Sequence, residues 1–271
     1  MSHNNLPRTL RLFLPCLAFL LALLSACSRP APETSAANPP APPTETVSSV
    51  ELIKQADQLY VQREELARVR EGVSLLRRAR MAEAQNYEAS WRLARLDYYL
   101  GSHTTDEKER DEAFREGVEA GEDAVRWQAG KAEGHFWLGA NMGGRAESSS
   151  LSGLADAEDI RKEMETVIKL NEGFEGGAAY MVLGQVNLEL PRLMGGDPQE
   201  AVRNLEKGLT FGADNALLRL HLAEAYLSTG RREDARKQLN TLLSMKPRPD
   251  YIPEHKDAVA QARKLLEEKF K

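Results

Sequence analysis

The sequence predicts an all-α fold, a solenoid of about five helical hairpins closed by a helix at its C-terminal end, and three observations carry this reading. From Val50 onward there is no run of alternating β-branched residues, while apolar residues recur at helical spacing among abundant Ala, Leu, Glu and Arg. A pair of one large and one small residue also repeats along the chain, as Leu93-Ala94, Leu138-Gly139, Leu183-Gly184 and Leu222-Ala223, at intervals of 45, 45 and 39 residues. Each pair suits a helix that its neighbour must approach closely. Finally, the 271 residues carry only 2 Cys, so packing rather than cross-linking must hold the fold.

The N-terminal stretch is an export signal. Residues 1 to 11 are polar and carry Arg8 and Arg11, and Leu12 to Leu24 is almost wholly apolar yet too short to span a bilayer. The sequence Leu24-Ser25-Ala26-Cys27 that follows resembles the bacterial lipobox. That resemblance implies cleavage after residue 26, acylation of Cys27, and a protein held on the periplasmic face of the bacterial outer membrane by its lipid anchor. Ser28 in place of Asp favours the outer over the inner membrane. Residues 27 to 49 form a tether that includes Pro30, Pro32, Pro39, Pro40, Pro42 and Pro43. At about 3.1 Å per residue it reaches up to roughly 60 Å.

Residues 50 to 271 form the repeat domain. Val50 to Arg80 makes a degenerate first hairpin around Ala56, Tyr60, Leu76 and Ala79, and Pro253 to Phe270 a closing amphipathic helix, because a solenoid without caps leaves half a core in water. Between them, Arg219-x-x-Leu222-Ala223-x-x-Tyr226, Gly230, Ala235-x-x-x-Leu239, Leu242 and Pro247 match the tetratricopeptide pattern without a gap. Set against an ideal unit of about 34 residues, the three upstream intervals are too long, and the second-helix positions Gly117, Ile160 and Ala201 put each excess between the two helices of its own repeat. Three long loops are therefore expected at Gly101 to Asp111, Gly143 to Leu154 and Pro191 to Gly196. Turns of this kind share one edge of the stack, so Thr105, Ser149 and Met194 should lie on one rim, with Arg192 beside them.

Registering the repeats places Trp91, Arg95 and Tyr98, then Phe136 and Ala140, then Met181, Gln185 and Leu188, then Leu217, Leu220, Glu224 and Leu227 on the inner face. Most are large and apolar, which predicts a groove for an apolar or amphiphilic guest or a partner helix, unless the stack winds tightly or the closing helix fills it and turns these residues into core. Arg95 or Arg192 would hold a carboxylate at the groove's edge.

Chemistry is not written into this chain. It lacks G-x-x-x-x-G-K-[ST], H-E-x-x-H, G-x-S-x-G and paired-Cys motifs. A formal net charge of -5 and a pI near 5.7 give no basic face for nucleic acid. His103 with Asp106 and Glu107 reads as a solvated loop rather than a metal site, and His135 and His221 as packing residues. No carboxylate reads as isolated in an apolar run. No enzyme, cofactor or metal is expected. In Gly195-Gly196-Asp197-Pro198-Gln199-Glu200, the glycines supply a turn, Asp197 an N-cap and Glu200 a capping box.

The runs Gly134-His135-Phe136-Trp137-Leu138-Gly139-Ala140-Asn141, Gly176-Gly177-Ala178 with Leu183-Gly184, and Leu190 to Asp197 resemble the T-component family of TRAP-type solute transporters, over roughly residues 50 to 271. The resemblance implies a tetratricopeptide-like lipoprotein that associates with a periplasmic solute-binding subunit, forms homo-oligomers and offers a cleft to an apolar ligand. The alternative function is an outer-membrane assembly or secretion scaffold that engages protein partners through its groove.

Overall fold

The computed structural model describes residues 47–148 and 156–270. The export signal, Cys27 and most of the tether lie outside them, as does Ser149 of the second rim loop. Among the described residues there are eleven α-helices and no strand, in the order α1 (Ser49–Val61), α2 (Leu66–Ala82), α3 (Tyr87–His103), α4 (Glu107–Trp127), α5 (Ala132–Ser148), α6 (Ala157–Leu170), α7 (Ala178–Glu189), α8 (Pro198–Leu209), α9 (Ala216–Ser228), α10 (Arg232–Ser244) and α11 (Ile252–Lys269). Consecutive helices pair into five antiparallel hairpins, and α11 packs on α9 and α10 as the cap. This is the tetratricopeptide-like α-solenoid that the repeat pattern predicts.

Local chemistry sets the helix starts. Asn86 and Asn215 accept from the backbone N–H groups of Ala89 and Leu218 at 2.9 and 3.1 Å, and Asp106 accepts from those of Lys108 and Glu109. The large-small pairs do what their spacing implies. Leu93 and Ala94 are fully buried, and a side chain on Gly184 would lie 2.5 Å from Leu205 of α8. Likewise, a Cβ on Gly139 would lie 2.5 Å from the Met164 methyl of α6.

The first expected loop is largely helix. The extra residues after Gly101 lengthen α3 to His103 and start α4 at Glu107, leaving a short turn around Thr105. The Asp106 cap explains this, because it nucleates two further turns at the front of α4. Those turns are used: Arg70, Arg77 and Arg80 of α2 pair with Glu109, Glu116 and Asp123 of α4, with Nε–Oε1 distances of 2.6 and 2.7 Å for the first two and 2.6 Å between Nη2 and Oδ2 for the third. The acids stand seven residues apart, so one face of α4 meets one face of α2. Arg70 and the Thr104 hydroxyl together hold Glu109 down to about 2.

The third expected loop does form. Pro191 to Gly196 makes a 3₁₀ turn (Arg192–Met194) ending at Gly195 with φ 87, and Asp197 caps α8 through the Gln199 N–H at 2.8 Å. The capping box does not form, because Glu200 pairs with Arg203 instead.

Candidate functional site

The first helices of successive hairpins pack directly, α1 on α3, α3 on α5 and α7 on α9, and so form the inner wall of the stack. Its most polar region lies where α1 meets α3. The Arg95 guanidinium sits 3.8 Å from the Tyr60 ring centroid and 5.0 Å from that of Trp91, and its Nη2 donates to Asp57 at 2.8 Å. Arg92 donates to the same carboxylate and to Glu88, and stacks over Trp91 at 4.2 Å. Two cations interleaved with aromatic rings share one aspartate. The Arg95 Nε is buried without an acceptor, and burial pulls the Arg95 pKa below its ordinary value.

The closing helix meets this wall. Arg63, only 3% exposed, reaches from the α1–α2 turn to grip Glu254 of α11 through Nε at 2.9 Å and Nη2 at 2.7 Å. It donates further to the Asp250 carbonyl at 2.5 Å and lies over the Tyr60 ring at 4.5 Å. Lys256 pairs with Glu64 at 2.5 Å, His103 Nε2 lies 3.3 Å from Asp257, and the Tyr251 hydroxyl donates to Glu175. Glu175 is held at φ 46, outside the region most side chains favour, at the start of a turn continued by Gly176 and Gly177. The head of α11 thus crosses the inner face from the front of α7 to the first hairpin.

The residues expected to line an open apolar groove divide accordingly. Trp91, Arg95, Tyr98, Met181, Leu188, Leu217 and Leu227 are half-buried on or near the inner wall, and burial pushes the Tyr98 phenol up to about 12. Phe136 and Leu220 are core. Phe136 packs between Trp137 and Phe174 at centroid distances of 4.9 and 5.2 Å, and Leu220 belongs to the cluster that α11 completes with Ala258 and Ala262. Met181, Leu188, Leu217 and Leu227 pack against that same cluster. The apolar half of the predicted groove therefore belongs to the core around α9 and α11, and the aromatic and arginine half is partly buried. A smaller recess of about 80 Å³ opens between α3, α5 and α7, with Tyr98, Gly143, Ile160 and Val186 among its walls. Arg192 is exposed on the third turn beside the exposed Leu193 and Met194, and Cys27 lies outside the described residues.

Among the described residues no three His, Cys, Asp or Glu side chains gather in a way that would hold a metal. His103 stacks on Tyr99 at 3.9 Å and bonds the Tyr99 carbonyl. His135 has an acceptor at each ring nitrogen, Glu163 at 2.5 Å and the Ala129 carbonyl at 2.9 Å, an arrangement that favours the protonated ring. Glu163 accordingly raises its pKa. This pair stabilises the fold fully below pH ~6.5 and loses that contribution as pH rises through the raised value.

Sequence reasoning missed one carboxylate. Asp97 is fully buried, neither oxygen has a hydrogen-bond donor, and burial raises its pKa well above the ordinary carboxylate range, with Glu116 adding to the rise and Arg77 and Arg80 opposing it. The signal was available in Leu96-Asp97-Tyr98-Tyr99-Leu100, a charged residue inside an apolar run.

Comparison with known proteins corrects the resemblance to TRAP T-components. Residues 52–190 match the family described as regulator of microtubule dynamics protein 1-3, and residues 192–262 match the tetratricopeptide repeat. The rat (Rattus norvegicus) regulator of microtubule dynamics protein 3 is 24% identical over 206 residues, covering 70% of this chain and 43% of the rat protein. This chain therefore spans less than half the length of that relative. Among solved structures, a thermophilic tetratricopeptide protein of Thermus thermophilus superposes with a TM-score of 0.61 at 21% identity, over 81% of this chain and 99% of the other, which establishes a shared fold. The runs that suggested a transporter component are features of close helix stacking: Gly134, Gly139, Gly177 and Gly184 each stand where a side chain would strike the neighbouring helix. Any tightly wound stack needs them, so they do not identify a transporter. With that resemblance go the solute-binding subunit and the oligomers it implied. The half of the chain from residue 52 to residue 190 settles its kinship, and the chain belongs to the regulator of microtubule dynamics protein 1-3 family.

Proposed function

We propose that this chain is a non-catalytic scaffold that binds protein partners on the inner face of its helical stack, near the first two hairpins. The observation that carries this reading is the half-exposed cluster of Trp91, Arg92, Arg95 and Tyr60. Tryptophan, tyrosine and arginine are the residues that dominate protein interfaces, because each combines a large rigid contact area with a directed polar group. Here the arginines are already oriented by Asp57 and Glu88, so a partner would meet groups whose ordering cost is largely met. The rat relative's name speaks of microtubule dynamics; what we carry over to this chain is the binding frame.

A photo-reactive phenylalanine analogue at Trp91 should give discrete protein adducts in the native cell, whereas the same group at Arg236 on the exposed face of α10 should give none. Equal adducts at both positions, or none at Trp91, would sink the reading.

The scaffold is further proposed to be held on the periplasmic face of the outer membrane by an acylated Cys27, a reading supported by the apolar stretch and the lipobox-like residues before it. No helix among the described residues is long and apolar enough to cross a membrane. Cys27→Ala should then release the protein from the membrane fraction or block its processing, since acyl chains supply the hydrophobic anchor. Processed Cys27→Ala protein retained in membranes would contradict the anchor.

A further inference from the structure

The head of α11 is attached differently from its body. Ala258 and Ala262 are fully buried against α9 and α10, so the body is held by apolar packing. Residues 249 to 257 contribute one buried side chain, Pro253, and are otherwise held by polar contacts: the Asp250 carbonyl and Glu254 on Arg63, Tyr251 on Glu175, and the ion pairs of Lys256 with Glu64 and Asp257 with His103. The last two pairs are substantially exposed, and exposed pairs hold weakly. Beneath the head lie Tyr60, Tyr99 and Arg63, aromatic and arginine groups of the kind that anchor interfaces.

We propose that the segment Pro249–Asp257 is an internal stand-in for a partner: the α1–α3 face binds an acidic amphipathic helix that sets a glutamate on Arg63, in competition with this chain's own segment. The reading rests on the inner-face binding proposed above and names its partner class. Arg63 determines the chemistry. Its carboxylate partner is Glu254, and a buried guanidinium left without a carboxylate is costly. A segment that displaces the head must therefore bring a carboxylate to the same place. Tyr251, three residues before Glu254, is tied elsewhere, under Arg248 at 4.5 Å and to Glu175 before α7, so the carboxylate is what the α1–α3 face reads.

The test places one substitution in cis and in trans. A fluorescein-labelled peptide copying residues 247 to 259 is titrated against the full chain and read by anisotropy. Glu254→Gln in the chain should loosen the internal segment and strengthen peptide binding about tenfold over the wild-type chain. The same change in the peptide should weaken its binding to that variant about tenfold, because Arg63 then receives no carboxylate. Circular dichroism checks the fold, and if Glu254→Gln unfolds the chain, Lys256→Glu, which sets two carboxylates face to face on the surface, should give the same gain in cis. A folded variant that binds the peptide no better than wild type overturns the competition, as does a Gln peptide that binds as well as the Glu peptide. Adducts at Trp91 that persist in such a case would leave the inner-face scaffold standing without this partner class.

Discussion

Phe114→Ala should lower the stability of the chain by about 4 kcal/mol. Phe114 is buried on α4, and its ring fills a notch made by two absent side chains, Gly101 of α3 and Gly144 of α5. A Cβ built on Gly101 would lie 2.8 Å from the ring, and one on Gly144 would also strike it. Three helices from two hairpins converge on one aromatic group. Truncation leaves a cavity that neither glycine can help to fill, so the cost belongs at the upper end of the range for large-to-small changes. The reverse change is equally informative. Gly101→Ala should destabilise the wild-type chain by overpacking, about 1–3 kcal/mol, and destabilise it less in a Phe114→Leu background, where the smaller side chain leaves room. Urea unfolding followed at 222 nm measures all four corners of this cycle; strictly additive losses would show that the notch does not couple the two positions.

Asp97→Asn should stabilise the chain, by an amount that grows with pH. The folded pKa of Asp97 lies above its unfolded value, so the folded state holds the proton more tightly and is favoured most at low pH, below the unfolded value near 3.9. As pH rises from there to the raised folded pKa, the wild-type chain loses about 1.4 kcal/mol for each unit, while an amide that does not titrate loses none. The advantage of the Asn variant should therefore grow as pH rises from about 4 toward the raised folded pKa. The slope of the stability difference against pH is the readout, since the amide also lacks ready-made partners and sets its own offset. A difference that stays flat from pH 4 to 8 would show that Asp97 titrates alike in both states. A residue kept at such a cost, in a helix whose next turn carries Tyr98, Tyr99 and Leu100, destabilises α3 beneath the ion pairs of α2 and α4.

Most of the fold was legible in the sequence because repeat proteins state their packing locally. The large-small pairs and the full tetratricopeptide pattern around Leu222 and Tyr226 each act within one hairpin, and both reappear in the structure as buried contacts. What was not legible depended on residues far apart in the chain. Nothing near Arg63 signals that Glu254 will neutralise it, and nothing near Leu220 shows that it will share a core with Ala258 and Ala262 of α11. The loop expected after Gly101 failed for a local reason that spacing overrode: an Asp106 cap followed by a run rich in Glu, Lys, Arg and Ala extends a helix more readily than a loop. The candidate site was half legible. The register singled out Trp91, Arg95 and Tyr98, but Asp57 and Tyr60, which orient the cations, come from a first hairpin too degenerate to register.

The bond from Arg63 to Glu254 joins residues 191 positions apart. In an ordinary solenoid every contact is between neighbours, so either end can fray by itself and folding can begin anywhere and spread. Here the α1–α2 turn cannot bury its arginine until α11 has been synthesised and docked. Until the C-terminal end of the chain docks, the first hairpin lacks this counterion. In that interval the emerging chain presents an unsatisfied cation among aromatic rings, and a chaperone or an acidic neighbour has its widest access to it. Once the bond forms, the separate hairpins share one boundary, and loss of either end registers at the other.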